Sequence, residues 1–311
     1  MLIDSIQASG IRITSLDDHI HIIHGKNRGR SPFCNTVLVL DKINAIIDPG
    51  CGLEILEKVA SIAKIDLVLN SHSHPDHTSG NWLLGEISKP EIMVPADNID
   101  SISDAQSLAY RFLNQDLAGL WLDEYLPVTG FKNFTPGSNF SDGHEFKLGK
   151  TRFIAIHTPG HLNDHYCLFE PDKRILLGFD IDLSPFGPWY GNPESDIKLF
   201  KRSIEKIRTI PIDIYFSSHA KPVKGQYIDR RIQSYASMFE KRDASVLSCI
   251  PDNKGATLNS IVSLSPIYDT DHSYPDKILH YGEKQMVKKH LDQIIDNGLI
   301  YFDHTHYKIF S

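Results

Sequence analysis

The chain has 311 residues, of which 41% are hydrophobic and 23% charged, and its formal net charge is −7. That composition suits a globular protein with a sizeable core. The negative balance argues against a protein whose main task is to wrap nucleic acid. No apolar run is long enough to span a membrane, and Met1 to Gly10 lack the basic and apolar regions of a signal peptide. Cys34, Cys51, Cys167 and Cys249 lie far apart and form no CxxC pair. A cytoplasmic protein without a disulfide framework is therefore expected.

His19 to Ile23 alternates with the period of a strand. Asn35-Thr36-Val37-Leu38-Val39-Leu40 predicts a second strand, and Asn44-Ala45-Ile46-Ile47-Asp48 a third, closed by Pro49-Gly50. Leu53 to Ile62 has helical spacing, with Leu53, Leu56, Val59 and Ala60 on one face. The apolar run from Ile65 to Asn70 reads as a buried strand. Residues 97–136 carry many large apolar side chains and predict a helical insertion that packs on the core, forms a pocket lid, or does both. Three further strands are predicted at Thr151 to His157, Arg174 to Asp180 and Asp213 to His219. From about Gln226 the pattern turns helical, over 229–249, Thr257 to Leu264 and Gly282 to Asn297. Two short strands, Leu299 to Phe302 and Tyr307 to Phe310, close the chain. The boundary divides it into residues 1–226 and 227–311, and three helices followed by a hairpin is a winged-helix-like layout.

The most informative segment is Ser71-His72-Ser73-His74-Pro75-Asp76-His77. Histidine is the commonest metal ligand, and a carboxylate adds a negative oxygen donor. In an extended segment His72 and His74 point to the same side. Asp76 and His77 turn into the next helix and reach a second point, so the spacing suits two metals. Later apolar runs also end in ligand types: His161 follows Thr158-Pro159-Gly160, Asp180 closes the run from Arg174, and His219 closes the run from Asp213. One sheet edge would bring these ends together. A single histidine after a strand is more often a turn residue, but the whole set is hard to explain that way.

With these motifs in place, the chain resembles the metallo-β-lactamase-fold hydrolases, the superfamily of glyoxalase II, lactonases and β-lactamases. The His-x-His-x-Asp-His signature matches His72, His74, Asp76 and His77, and Thr-Pro-Gly-His matches Thr158 to His161. The first-strand motifs match Asn35 to Val39 and Ile47 to Gly50, and an Asp-Gly turn is present at Asp142-Gly143. The resemblance covers most of residues 12–225. It implies an α+β, αββα sandwich, here with an appended winged-helix-like domain. It also implies one metal held by His72, His74 and His161, a second held by Asp76, His77 and His219, and Asp180 bridging them. The family's aspartate directly follows glycine, whereas here Phe179 intervenes, which leaves Asp182 as a competitor. Zinc is the first expectation for the metal pair, with iron or manganese as alternatives.

Flavodiiron relatives carry glutamate at the position of His74, so hydrolysis is favoured over redox chemistry. The leading function is hydrolysis of a small-molecule ester, a thioester or lactone, with Asp76 and Asp180 in the reacting centre. The alternatives are an endoribonuclease and a metal-containing regulatory protein without turnover. Tyr190, in the loop from Ile181 to Asn192, is a candidate for assisting the substrate oxygen. His165 reads as packing, with support behind a ligand as the alternative, and His19, His21 and His24 read as surface strand residues. Some relatives associated with RNA cleavage carry a similar C-terminal layout. Here Lys284, Lys288, Lys289 and His290 share the third helix with Glu283, Asp292 and Asp296, so nucleic-acid binding is not favoured. Packing on the catalytic domain, shaping the pocket rim or self-association is the expected role of that region.

Overall fold

Apolar runs that the sequence places in strands become two sheets packed face to face. The computed structural model describes residues 2–252, 254–269 and 276–310. The first sheet contains β1 (Ile13–Ser15), β2 (Ile20–Ile23), β3 (Thr36–Val39), β4 (Ala45–Ile47), β5 (Leu67–Leu69), β6 (Glu91–Pro95) and β7 (Ser138–Phe140), side by side in chain order. Pairing is antiparallel from β1 to β4 and parallel from β4 to β7. The second sheet contains β8 (Glu145–Lys147), β9 (Arg152–His157), β10 (Tyr166–Glu170), β11 (Ile175–Leu177), β12 (Ile214–Phe216) and β13 (Val223–Lys224), in the order β13-β12-β11-β10-β9-β8. Only β11 and β12 pair in parallel there.

The side-chain period of two sorts each strand between layers. Val37, Val39, Ile47, Leu67 and Leu69 point into the space between the sheets, where they meet Ile175, Leu177 and Phe216. Leu38, Ile46 and Val68 point outward onto helices, meeting Leu56 and Val59 of the helix Leu53–Ile62 and Leu83 and Leu84 of Asn81–Ile87. On the second sheet Leu176 and Tyr215 point outward onto Phe200, Ile204 and Ile207 of the helix Ile197–Arg208. Asp196 caps that helix by accepting from the Leu199 N–H. Strands buried on both faces read as continuous apolar runs, as the sequence has them. The result is the expected αββα sandwich.

Residues 99–129 form short helices between β6 and β7, the predicted insertion. Leu108, Phe112, Trp121 and Leu126 build a small apolar cluster of their own there. Beyond residue 226 the helices are Tyr227–Ala236, Met238–Ser248, Leu258–Val262 and Lys277–Asp296, followed by the antiparallel pair β14 (Ile300–Phe302) and β15 (Tyr307–Ile309). The single helix expected over 229–249 is two, meeting at Ser237. The last helix starts five residues before the expected Gly282, because Asp276 accepts from the N–H groups of Ile278 and Leu279 and caps an extra turn. Phe239, Met286 and Leu291 share one apolar core with Phe200 and Tyr215, so these helices pack directly over the second sheet. Among the described residues no helix is long and apolar enough to cross a membrane.

Candidate metal centre

Seven side chains converge at one edge of the two sheets. His72 and His74 follow β5. Asp76 and His77 lie on the short helix Pro75–Thr78, whose first residue is a proline that needs no N–H partner. His161 sits in the turn between β9 and β10, Asp180 follows β11, and His219 follows β12. A Cβ on Gly50 would lie 1.5 Å from the Asp76 carbonyl oxygen, so the glycine after Asp48-Pro49 lets this helix close against the strand end. Gly160, at φ 132°, lets the His161 turn pass the backbone of Phe200.

Asp180 is the centre of the set. His74 Nδ1 lies 3.1 Å from His72 Nε2 and 3.0 Å from His161 Nε2. One oxygen of Asp180, Oδ2, is 3.2 Å from His161 Nε2 and 3.7 Å from His72 Nε2. The other, Oδ1, is 3.1 Å from His77 Nε2 and 3.3 Å from His219 Nε2. Asp76 Oδ2 stands 3.9 Å from His77 Nε2 and 3.7 Å from His219 Nε2. The two oxygens of one carboxylate thus face two separate groups of donors.

The outer ring nitrogens are already committed. His161 Nδ1 is 2.9 Å from the Trp189 carbonyl oxygen and His219 Nδ1 is 2.7 Å from that of Gly29. His77 Nδ1 is 2.8 Å from Asp48 Oδ2. A neutral imidazole has one N–H, so spending it on these acceptors leaves a lone pair pointing inward. His77 Nε2 and Asp180 Oδ1 are buried and complete no hydrogen bond. Lone pairs facing a carboxylate are tolerated when cations lie between them, and the donor set of imidazoles and carboxylates fits divalent metals.

Without cations the charges compensate differently. Burial holds His72 and His74 well below the usual imidazole range. For His77, burial is opposed and outweighed by the carboxylates of Asp180, Asp76 and Asp48, and its pKa lies well above that range. For His219 burial is likewise outweighed, chiefly by Asp180, and its pKa is pushed up to about 9. Asp180 stays well below the ordinary carboxylate range, because His77 and His219 overcome its burial.

Two strained residues support this edge. Asp48, at φ 53°, accepts from Ser71 N (2.7 Å) and Ser71 Oγ (2.6 Å) as well as holding His77. Phe179, at φ 48°, keeps its ring in the core between the sheets, against Phe216. Its left-handed backbone absorbs the extra residue and turns Asp180 back toward the histidines. Asp182 joins none of the convergent groups among the described residues. It accepts from Ser184 N at 3.0 Å, and burial pushes its carboxyl up to about 6.

Comparison with known proteins agrees with this geometry. A model of the metallo-beta-lactamase superfamily matches residues 30–219. The chain belongs to this superfamily. A relative named "Probable metallo-hydrolase", from Methanocaldococcus jannaschii, is 26% identical over 218 residues, 66% of this chain and 94% of that protein. A hydroxyacylglutathione hydrolase of Francisella tularensis subsp. novicida is 26% identical over 180 residues, 57% of this chain and 58% of its own length. The crystal structure of a metallo-beta-lactamase family protein from Thermus thermophilus superposes with a TM-score of 0.70 at 16% identity, covering 95% of this chain and 100% of that one. Members of the superfamily bind divalent metals and are generally hydrolases, and the His/Asp clusters described above are this member's candidate metal-binding groups.

A cavity of about 730 Å³ opens over the centre of this superfamily member, and His74, Asp76, His161, Asp180 and His219 reach it. Phe112, Trp121 and Tyr125 of the insertion form one wall. Phe186 and Trp189 of the loop after Asp180 form another.

Tyr190 does not line this cavity, and its expected role beside the metals is not met. Its hydroxyl is buried 2.6 Å from His290 Nε2 and accepts from Arg242 Nη1 at 3.0 Å. It ties the loop to the helix Lys277–Asp296 instead.

Two further residues support the site: His165 in the role weighed second to packing, and Asn192, which escaped the sequence reading. His165 is a working part of the site rather than filler: its Nε2 accepts from Asp180 N at 3.3 Å and its Nδ1 meets Thr158 Oγ1 at 2.9 Å. Burial pushes its pKa down to about 3, so it stays neutral and keeps that acceptor. The carboxamide of Asn192 lies 2.7 Å from His74 Nε2. The only sequence signal for either was closeness to a ligand or to the aromatic loop. His19, His21 and His24 bind Leu40 O, Ser15 and Thr14, and His21 is buried rather than on the surface.

Proposed function

We propose that the chain hydrolyses a small ester-type substrate, a thioester or a lactone, with two divalent metal ions, zinc being the first choice. His72, His74 and His161 would hold one metal and Asp76, His77 and His219 the other, with Asp180 between them. The observation that carries this reading is Asp180, whose two oxygens face separate nitrogen sets beside an apolar cavity. Two divalent cations held there supply Lewis acidity, which brings the pKa of water toward neutrality and stabilises negative charge on a reacting oxygen. The chain supplies the rest. Asp76 and Asp180 are the carboxylates that face both the ligand nitrogens and the cavity. Asp48, Ser71, Trp189 and Gly29 fix the imidazole rings through their outer nitrogens. Phe112 and Trp189 pack against His74 and keep that side of the centre dry.

We read 227–311 as a winged-helix-like unit that completes the pocket rather than reading nucleic acid. Two of the basic residues on its long helix face inward: Lys289 Nζ donates to Asn192 O, and His290 lies between Asp243 and Tyr190. Arg30 is the one lysine or arginine on the cavity lining among the described residues, and tracking a phosphate backbone needs several. A reducing cytoplasm suits four free cysteines, three of them buried.

The test is a side-by-side assay of thioesters, lactones, phosphodiesters and RNA at physiological salt, with His72→Ala as control. Thioester or lactone turnover that vanishes in the control is expected. Efficient RNA cleavage lost in the control, with inert esters, would transfer the assignment to the endoribonuclease. Full metal occupancy with no turnover of any substrate would favour the regulatory protein.

A further inference from the structure

We infer that the acyl part of the substrate is a large apolar group, an aliphatic chain, seated between the helical insertion and the first turn of the helix Lys277–Asp296. This rests on the ester-hydrolase reading for the chemistry, but not for the binding.

The cavity has three walls from distant parts of the chain. Phe112, Leu113 and Trp121 come from the insertion, and Phe186 and Trp189 from the loop after Asp180. The third wall is Ile278, Leu279 and Tyr281. Ile278 and Tyr281 also pack on the apolar cluster of the insertion, so two regions almost 170 positions apart in the chain close around one space. Leu279, 44% exposed, faces that space without being spent on the core. The extra helical turn capped by Asp276 is what puts Ile278 and Leu279 there.

About 730 Å³ exceeds what the reacting ester group needs and falls within the ~300–1,000 Å³ of pockets that enclose most of a ligand. The lining joins the candidate ligands Asp76, Asp180 and His219 to the apolar side chains of these three walls. A ligand that fits carries its carbonyl at those ligands and its hydrocarbon along the walls. Hydrolysis then adds water across the acyl–oxygen or acyl–sulfur bond and releases a carboxylate, a proton and an alcohol or thiol. The carboxylate product keeps the same apolar tail in the same place.

That last point makes the inference testable without turnover. Binding of straight-chain carboxylates, from acetate to dodecanoate, is measured by calorimetry on the metal-loaded protein. Affinity should rise about two- to fourfold per methylene until the walls are covered. Leu279→Asp should flatten the rise, and Leu279→Trp should end it at a shorter chain. Leu279 is a surface position, so neither change endangers the fold, and an unchanged circular dichroism spectrum checks this. A flat series in the wild type overturns the inference, and so does a rise indifferent to both variants. If the carboxylates bind with the expected rise but no thioester or lactone is turned over, the ester-hydrolase reading fails and the apolar subsite stands. If short esters turn over and long carboxylates do not bind, the hydrolase reading stands and the subsite fails.

Discussion

Lys289 donates from Nζ to the carbonyl oxygen of Asn192 at 2.8 Å, and the carboxamide of the same Asn192 lies 2.7 Å from His74 Nε2. The long C-terminal helix thereby reaches a ligand of the candidate centre through one intermediate residue. Tyr268, which precedes that helix, reaches His161 by the same loop, because Trp189 O accepts from His161 Nδ1 while Trp189 Nε1 donates to the Tyr268 hydroxyl. The other group is held differently: His77 by Asp48 and His219 by Gly29, both from the first half of the chain. His72 also leans on the first half, through Ser71 Oγ and Asp48, so support divides between His74 and His161 on one side and His77 and His219 on the other.

The first prediction follows from that division. Lys289→Met removes the anchor of Asn192 and also a cation whose pKa burial pushes down to about 8, so the fold should tolerate it. Loss of such outer support typically weakens a metal site about 10–100-fold. Titration with a competing chelator should show one metal bound as in the wild type and the other at least about tenfold weaker. Equal weakening of both metals, or of neither, would show that the C-terminal helix does not orient His74.

Much of this site was legible because metal ligands must be chemically special. Histidines and aspartates at the ends of apolar runs stand out, and a parallel arrangement leaves few ways to avoid bringing those ends together. The inner strands β3, β4 and β5 and the helix Leu53–Ile62 were equally legible, since burial on both faces or on one stripe writes itself into the pattern. The short strands β6, β7 and β8 and the helix Ile197–Arg208 gave no comparable signal in the reading. Partners held through backbone oxygens, such as Trp189 and Gly29, leave no trace in residue type. Tyr190 was misplaced for a related reason: nothing in a sequence says which side of a loop a tyrosine takes, and here Arg242 and His290 claim it.

The second prediction concerns Asp180. Replacement by Asn keeps the shape but removes the charge that faces both groups. Occupancy of both metals should fall, and hydrolysis should drop at least about a hundredfold. The circular dichroism spectrum should hold, because Phe179 and not Asp180 packs into the core. Turnover retained at full metal content would mean that Asp182 or another carboxylate does the bridging.

The third prediction concerns Asp48, which stands behind the candidate ligand His77. It accepts from Ser71 N, Ser71 Oγ and His77 Nδ1, from a left-handed backbone. Asp48→Asn turns one acceptor into a donor opposite His77 and releases its tautomer. The metal held by His77 and His219 should weaken about 10–100-fold, and the other less, because Asp48 reaches His72 only through Ser71 Oγ. Lys289→Met should show the opposite order, and the two variants measured together test the division of support. A uniform loss in both would point to general loosening of the edge.

The last prediction is a pH dependence, and its sign differs between metal-free and loaded protein. In the metal-free fold His219 is pushed up to about 9 from an ordinary 6.5. A raised histidine contributes stability that is fully present below the unfolded value and is lost as pH rises through the folded one. His77, also raised, acts in the same direction. Metal-free protein should therefore lose melting temperature between pH 6.5 and 9. Metals need these rings deprotonated, so apparent metal affinity should climb over the same range, and binding at neutral pH should release protons. Calorimetry in buffers of different ionisation enthalpy reads the proton count, and thermal melts after chelator treatment read the stability. His219→Asn isolates the effect, because other groups titrate near this window and only the His219 contribution disappears. A metal-free melting curve as steep in His219→Asn as in the wild type would show that the charge of His219 does not hold this edge together, and that the closeness of its ring to Asp180 has another origin.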